Sequence, residues 1–155
     1  MTAIVKYPVA LASIFLWLGF VGAISFMEAW LKFRAPGVTL SLGLGIGRLV
    51  FDALNKVEWV LAFAVLANLI FAKARVFSLK NIFYFIPLLL LIFQSIWVLP
   101  ALDARAELII QGQELASSYL HFYYVGMEIV KVVCLFIFGT KLLDLKNVRR
   151  KRQNN

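Results

Sequence analysis

The stretch that decides the fold runs from Glu114 to Lys141 and reads ELASSYLHFYYVGMEIVKVVCLFIFGTK. As an α-helix it is long enough to cross a bilayer, which needs about 20 mostly apolar residues. Three ionisable side chains lie inside it, at His121, Glu128 and Lys131. A charged group near the middle of a bilayer costs about 2.5–3.5 kcal/mol on insertion scales. We therefore expect these side chains to have nearby polar partners and to mark a functional site.

The composition of the chain is that of a membrane protein. Hydrophobic residues make up 63% of the 155 residues and charged residues 15%, compared with about 45–50% and 25% in soluble domains. A chain of this length allows about four spanning helices with short connections. We predict an all-α fold, an integral membrane four-helix bundle that forms one domain over residues 1–145. A basic cytoplasmic tail follows over residues 146–155.

The hydrophobic pattern predicts four spans, at about residues 8–27, 57–72, 82–99 and 119–140. Helix 2 is expected to start near Arg48, because Pro36 and Gly37 break the first helix and glycines recur at positions 43, 45 and 47. This glycine-rich segment predicts a flexible or re-entrant loop. The alternative is an anion pocket of loop amides beside Arg48. Pro100 is expected to end the third span, and the polar segment after it to extend the fourth helix.

The net charge is +8, and its distribution favours a membrane surface over nucleic acid. A C-terminal group of six basic residues consists of Lys141, Lys146, Arg149, Arg150, Lys151 and Arg152. We expect this tail to contact anionic lipid headgroups, and we expect no nucleic-acid partner. The positive-inside rule puts ten basic residues inside and five outside when both termini are cytoplasmic. The chain is thus predicted to be a multi-pass protein of the inner (cytoplasmic) membrane, surrounded by membrane lipids.

The polar side chains fall into layers when depth is counted at 1.5 Å per helical residue. A central layer holds Glu128, Lys131 and Asn68, and an outer layer holds Ser118, His121, Gln94 and Ser95. The outer mouth is predicted to contain Glu28, Lys32, Arg48, Asp52, Glu58 and Glu114. Glu128 and Lys131 are three residues apart on one helix, so that they can pair directly.

A polar stripe supports a seam along the last helix. Its members are spaced by three, four or seven residues, at Glu107, Gln111, Glu114, Ser118, His121 and Glu128. Such spacing places side chains on one helix face. The sequence therefore predicts a polar seam that opens to the outside and narrows to the Glu128–Lys131 pair.

Such a seam could serve several functions. The leading hypothesis is a membrane protein that binds or moves a small solute, a lipid or protons through it. One alternative is a membrane enzyme acting on a lipid-like substrate, with His121 and Glu128 as acid and base. Another is an accessory subunit of a larger membrane complex, and the chain could also form a homo-oligomer. The Glu128–Lys131 ion pair could also have a purely structural role and fix the helix register. We assign no catalytic residue and no metal site, and the cofactor is left open. Cys134 is the only cysteine, and we expect it in the core.

The last predicted helix contains the segment LHFYYVGMEIVK, which carries part of a resemblance to a known group of proteins. In its size, its four predicted spans and its histidine-bearing last helix, the chain resembles small four-helix membrane proteins related in shape to copper-resistance protein D. The resemblance covers the chain as an outline and has no specific motif. It implies a four-helix membrane bundle, and no functional residue is carried over from it.

Overall fold

The computed structural model describes residues 6–74 and 76–143. Within these residues four long helices are present: α1 (Pro8–Arg34), α2 (Leu40–Phe71), α3 (Ile82–Ile110) and α4 (Leu120–Leu142). Each is long and apolar enough to cross a membrane, so the predicted all-α, four-helix membrane fold is confirmed. A short 3₁₀ turn, Leu79–Asn81, precedes α3. The predicted basic tail at 146–155 lies outside the described residues.

The four helices pack in a closed ring. Helix α1 lies against α2 and α4, while α3 packs against α4 with its first half and against α2 with its second half. Short connections make consecutive helices antiparallel, as in other up-and-down bundles. Helices α1 and α4 approach closely at Gly139, where a Cβ atom would lie 3.0 Å from Ile14 Cγ2. Cys134 is buried in α4, as predicted.

Helix α2 begins at Leu40, eight residues before the predicted start near Arg48. Thr39 caps it, because its hydroxyl oxygen accepts a hydrogen bond from the Leu42 amide at 3.2 Å. The glycines at 43, 45 and 47 lie inside the helix, and the end of α1 packs against two of them. A Cβ atom at Gly43 would collide with the Phe33 ring, and one at Gly47 would lie 3.2 Å from Lys32 Nζ. The predicted re-entrant loop is therefore wrong, and so is the anion pocket, because Arg48 lies two turns inside the helix.

Helix α3 continues through Pro100 to Ile110, so the prediction that Pro100 ends the span is wrong. The proline follows a wider π-helical turn, Gln94–Val98, which changes the hydrogen-bond register just before it. The helix ends instead near Gly112, which has a φ of 85°. Residues 111–119 are not α-helical. The polar segment after Pro100 thus extends α3 rather than α4, and the predicted stripe from Glu107 to Glu128 is broken.

Helices α2 and α3 are longer than a membrane span requires. Helix α2 has 32 residues and α3 has 29, which correspond to about 48 Å and 44 Å. The hydrocarbon core of a bilayer is about 30 Å thick. The two helices are therefore longer than the hydrocarbon core is thick. The end that holds the α1–α2 and α3–α4 connections also holds a large cavity, and we name it the cavity end.

Candidate functional site

Three ionisable side chains meet in the middle of the bundle. We name Glu58 of α2 with Glu128 and Lys131 of α4 the buried charge set. Their side chains are 2%, 0% and 0% exposed. Lys131 Nζ lies 2.8 Å from Glu128 Oε1 and forms an ion pair with Glu58 Oε1. The predicted contact between Glu128 and Lys131 is present, and a second carboxylate joins it.

Neutral side chains from the other two helices complete this centre. Trp17 Nε1 of α1 donates to Glu58 Oε1 at 2.7 Å. Gln94 Nε2 of α3 donates to Glu128 Oε1 at 2.8 Å. Two buried oxygens, Glu128 Oε2 and Gln94 Oε1, have no hydrogen-bond partner among the residues that the structure describes. All four helices thus meet at one polar centre whose acceptors are incompletely satisfied.

Glu58 was predicted at the outer mouth, and its burial corrects that prediction. It lies on the core-facing stripe of α2, whose buried members include Leu54, Ala62, Val65 and Leu69. The spacing of these residues by three and four is that of one helix face. Because α2 begins at Leu40, Glu58 lies about 27 Å from the start of the helix. The early start of α2 therefore moves Glu58 from the membrane edge to the centre of the bundle.

Two π-helical turns lie next to this centre. One in α1, Gly22–Glu28, contains Ser25, and one in α3, Gln94–Val98, begins at Gln94. Ser25 Oγ and Tyr124 Oη lie 3.2 Å apart, and both side chains are buried. Single π-helical turns inside α-helices occur frequently at functional sites. Sequence patterns gave no signal for either turn.

A cavity of about 910 Å³ lies at the cavity end of the bundle and is lined by residues of all four helices. Its walls are largely apolar. Asn55, Ser95 and Tyr124 lie deepest in it along their helices, and Asn55 Nδ2 donates to Ser95 Oγ at 2.9 Å. Each is within about one helical turn of a residue of the polar centre, Glu58, Gln94 or Glu128. We name these three residues the cavity floor.

Lys32 forms part of the cavity wall. Its Nζ atom lies 3.1 Å from Glu28 Oε2 and 5.3 and 5.4 Å from the ring centres of Phe33 and Phe51. A Cβ atom at Gly47 would lie 3.2 Å from Nζ, so the glycine leaves room for the lysine against α2. Glu28 Oε1 is buried and has no hydrogen-bond partner in the described part of the chain. This wall therefore offers a cation, while its carboxylate partner Glu28 lies outside the residues that line the cavity.

A second charge set links α2 to α3 beside the cavity. We name Arg48, Asp103 and Glu107 the exposed charge set. Arg48 Nε and Nη2 bind the two oxygens of Asp103 at 2.5 and 3.0 Å, and Nη1 binds Glu107 Oε2. Of the predicted outer mouth, Lys32, Arg48 and Asp52 do line the cavity. Asp52 pairs with Lys56 at 2.6 Å.

The structure separates the remaining predicted residues from the centre. Asn68 was predicted beside Glu128, but its Oδ1 accepts from the Ala10 amide at 3.0 Å. It lies ten residues beyond Glu58, about 15 Å along α2. His121 is exposed and lines the cavity, whereas its predicted partner Gln94 binds Glu128.

The other two predicted residues lie before α4. Ser118 Oγ accepts from the Leu120 amide at 3.2 Å, and Glu114 is exposed in the connection between α3 and α4. Both were assigned to the seam on the assumption of one helix from Glu114 to Lys141. That helix begins at Leu120, so these residues lie away from the buried charge set.

Within residues 6–74 and 76–143, no three His, Cys, Asp or Glu side chains are placed to hold a metal ion together. No family model, curated protein or solved structure matches this chain. The resemblance to copper-resistance protein D therefore stays a prediction. The function must be inferred from the residues of this chain.

Proposed function

We propose that this chain is a multi-pass membrane protein that binds an amphipathic, lipid-like molecule in the cavity between its helices. The observation that carries the proposal is the cavity itself. Its volume is about 910 Å³, near the upper end of the range of about 300–1,000 Å³ that small-molecule sites occupy. Such sites combine apolar walls with a few convergent polar groups. The walls here have that composition.

The charges of the wall limit the class of ligand. Two cations, Lys32 and Arg48, and two carboxylates, Asp52 and Asp103, line the cavity, so that the wall has no excess charge. Lys32 and Arg48 can donate hydrogen bonds, and the carboxylates of Asp52 and Asp103 can accept them. A neutral or zwitterionic head that both donates and accepts hydrogen bonds fits this wall better than a bare anion. The apolar body of the ligand would lie against the aliphatic and aromatic walls.

The enzyme alternative receives less support from the geometry. His121 and Glu128 are seven residues apart on α4, about 10.5 Å along the axis. His121 is exposed, whereas Glu128 is fully buried. Tyr124 lies between them along the helix and is itself buried. An acid and a base that act on one substrate need to reach it together, and this arrangement does not favour that.

We propose the orientation that the basic residues predict, with both termini in the cytoplasm of a bacterial cell and the cavity end outside. A Gln113→Cys variant in a Cys134→Ser background tests it, because Gln113 is exposed in the α3–α4 connection. A membrane-impermeant maleimide should label the introduced thiol in intact spheroplasts. Labelling that requires permeabilised membranes would contradict this orientation.

The ligand is tested by native mass spectrometry of the protein released from lipid nanodiscs. A Gly45→Leu variant should lose copurifying lipid, because Gly45 lines the cavity and a Cβ atom there meets no other atom within 4 Å. Leucine also favours the helix by up to about 1 kcal/mol over glycine, so that folding should be retained. Gly126→Leu is the matched control, since Gly126 is exposed on α4 with equal space. Equal lipid retention in both variants would contradict a cavity ligand.

A further inference from the structure

The buried charge set contains two carboxylates and one ammonium. If all three groups were ionised, the set would carry one negative charge at side chains that are 0–2% exposed. An uncompensated charge in such a place is very costly, and a buried carboxyl group takes up a proton instead. We propose that Glu128 is a proton-binding site that holds one exchangeable proton on Oε2. This inference does not depend on the cavity ligand.

The hydrogen bonds indicate which carboxyl group carries the proton. Glu58 Oε1 receives both Trp17 Nε1 and Lys131 Nζ, an arrangement that suits an ionised carboxylate. Glu128 Oε2 and Gln94 Oε1 are both acceptors, are buried, and have no partner within the described residues. A proton on Glu128 Oε2 turns one of these two acceptors into a donor, and we assign Gln94 Oε1 as its acceptor. Because Gln94 Nε2 already binds Glu128 Oε1, this assignment makes the acid and the amide a reciprocal pair.

The groups next to the buried charge set add no charge to it. Trp17 from α1 and Gln94 from α3 bind it, and Tyr124 from α4, with Ser25 from α1 beside it, lies one turn from Glu128. These four side chains are neutral near pH 7. The next charged pair towards the cavity, Glu28 and Lys32, balances itself. One proton is therefore what the set needs to become neutral.

The cavity floor gives this proton a route. Tyr124 lines the cavity and lies one turn from Glu128 on α4. Its hydroxyl group contacts Ser25 Oγ at 3.2 Å, and both hydroxyl groups can donate and accept hydrogen bonds. The cavity therefore reaches within about one helical turn of Glu128 along α4, and the route that we propose for exchange runs through the cavity floor.

Infrared spectroscopy of the protein in lipid nanodiscs at pH 7 tests the proposal. We expect the C=O stretching band of a protonated carboxylic acid in the natural protein and its loss in Glu128→Gln. Lys131→Met should raise the band area about twofold, because two carboxyl groups must then be neutral. Asp103→Asn, in the exposed charge set, is the control and should leave the band unchanged. Absence of the band in the natural protein, or its persistence in Glu128→Gln, would overturn the proposal.

The position of the band identifies the carboxyl group even where Glu128→Gln fails to fold. Gln94→Met removes the acceptor of the proton and should shift the band to higher frequency. Trp17→Phe removes a hydrogen bond of Glu58 and should not shift it. The opposite pattern would place the proton on Glu58 and overturn the assignment. Transfer into D₂O should shift the band as deuterium replaces the proton, and this exchange should be slower in Tyr124→Phe. A band that never shifts in D₂O would refute exchange.

Discussion

Two charge sets with the same numbers of basic and acidic groups lie in this bundle, each with one basic side chain between two carboxyl groups. In the exposed charge set, the side chains of Arg48, Asp103 and Glu107 are 30%, 51% and 43% exposed. In the buried charge set, the side chains of Glu58 and Lys131 are at most 2% exposed, and that of Glu128 is 0% exposed. Both sets have a formal charge of −1 when fully ionised. What differs between them is access to water.

That difference decides how each set is stabilised. Water and salt screen the surplus charge of the exposed set, and exposed ion pairs contribute about 0–1 kcal/mol each. The buried set has no such screening, and removing one partner from a buried pair costs about 3–5 kcal/mol because it leaves a charge uncompensated. The buried set must therefore be balanced within the protein. The proton on Glu128 provides that balance.

The largest expected effect comes from removing each cation. We expect Lys131→Met to lower the free energy of unfolding by about 3–5 kcal/mol, because it leaves two buried carboxyl groups without an ammonium. Arg48→Met should cost no more than about 1 kcal/mol per exposed pair that it removes. Unfolding by SDS titration in mixed micelles measures both. Similar losses in the two variants would remove the basis of the comparison.

A smaller loss of stability is expected when the neutral hydrogen-bond donor to the buried charge set is removed. Trp17→Phe keeps most of the ring but removes the N–H group that binds Glu58 Oε1. We expect a loss of about 1.5–3 kcal/mol, as for a hydrogen bond to a charged group. Trp97→Phe is the matched control, because Trp97 is 46% exposed on the outside of the bundle. The same SDS titration compares the two, and an equal cost in both would show that Glu58 does not need the donor.

The smallest expected effect is the change that salt makes in the cost of each substitution. Raising the salt concentration to about 1 M shortens the Debye length to about 3 Å. The cost of Arg48→Met, measured at low salt in a nonionic detergent by thermal unfolding, should shrink. The cost of Lys131→Met should stay within error of its low-salt value. A salt-dependent Lys131→Met effect would indicate that solvent reaches the buried set.

The sequence predicted the parts of this structure that are local. Four apolar spans follow from composition, and the contact between Glu128 and Lys131 follows from a spacing of three residues on one helix. The long-range partners Trp17 and Glu58 were not predicted in the centre. Their depth depends on where the helices begin and end, and Gly43 and Pro100 are residues that ordinarily break a helix. Here both helices continue: the Phe33 ring packs against Gly43, and a π-helical turn precedes Pro100.

The wrong predictions for individual residues have the same cause. Asn68 and His121 were placed by depth from assumed helix ends, and each error of one turn moves a side chain by about 5.4 Å. The buried stripe of α2, from Leu54 to Leu69, was the signal that could have placed Glu58 correctly. Periodicity is intrinsic to the helix, whereas depth depends on contacts between helices.

The most direct test of a balancing proton on Glu128 compares two isosteric variants at neutral pH. Glu128→Gln replaces a neutral acid with a neutral amide that can still pair with Gln94, so its free energy of unfolding should stay within about 1 kcal/mol of the natural protein. Glu58→Gln removes the carboxylate that binds Trp17 and Lys131 and should cost about 1.5–3 kcal/mol, as for a hydrogen bond to a charged group. SDS titration in mixed micelles measures both. A larger loss in Glu128→Gln than in Glu58→Gln would contradict the account.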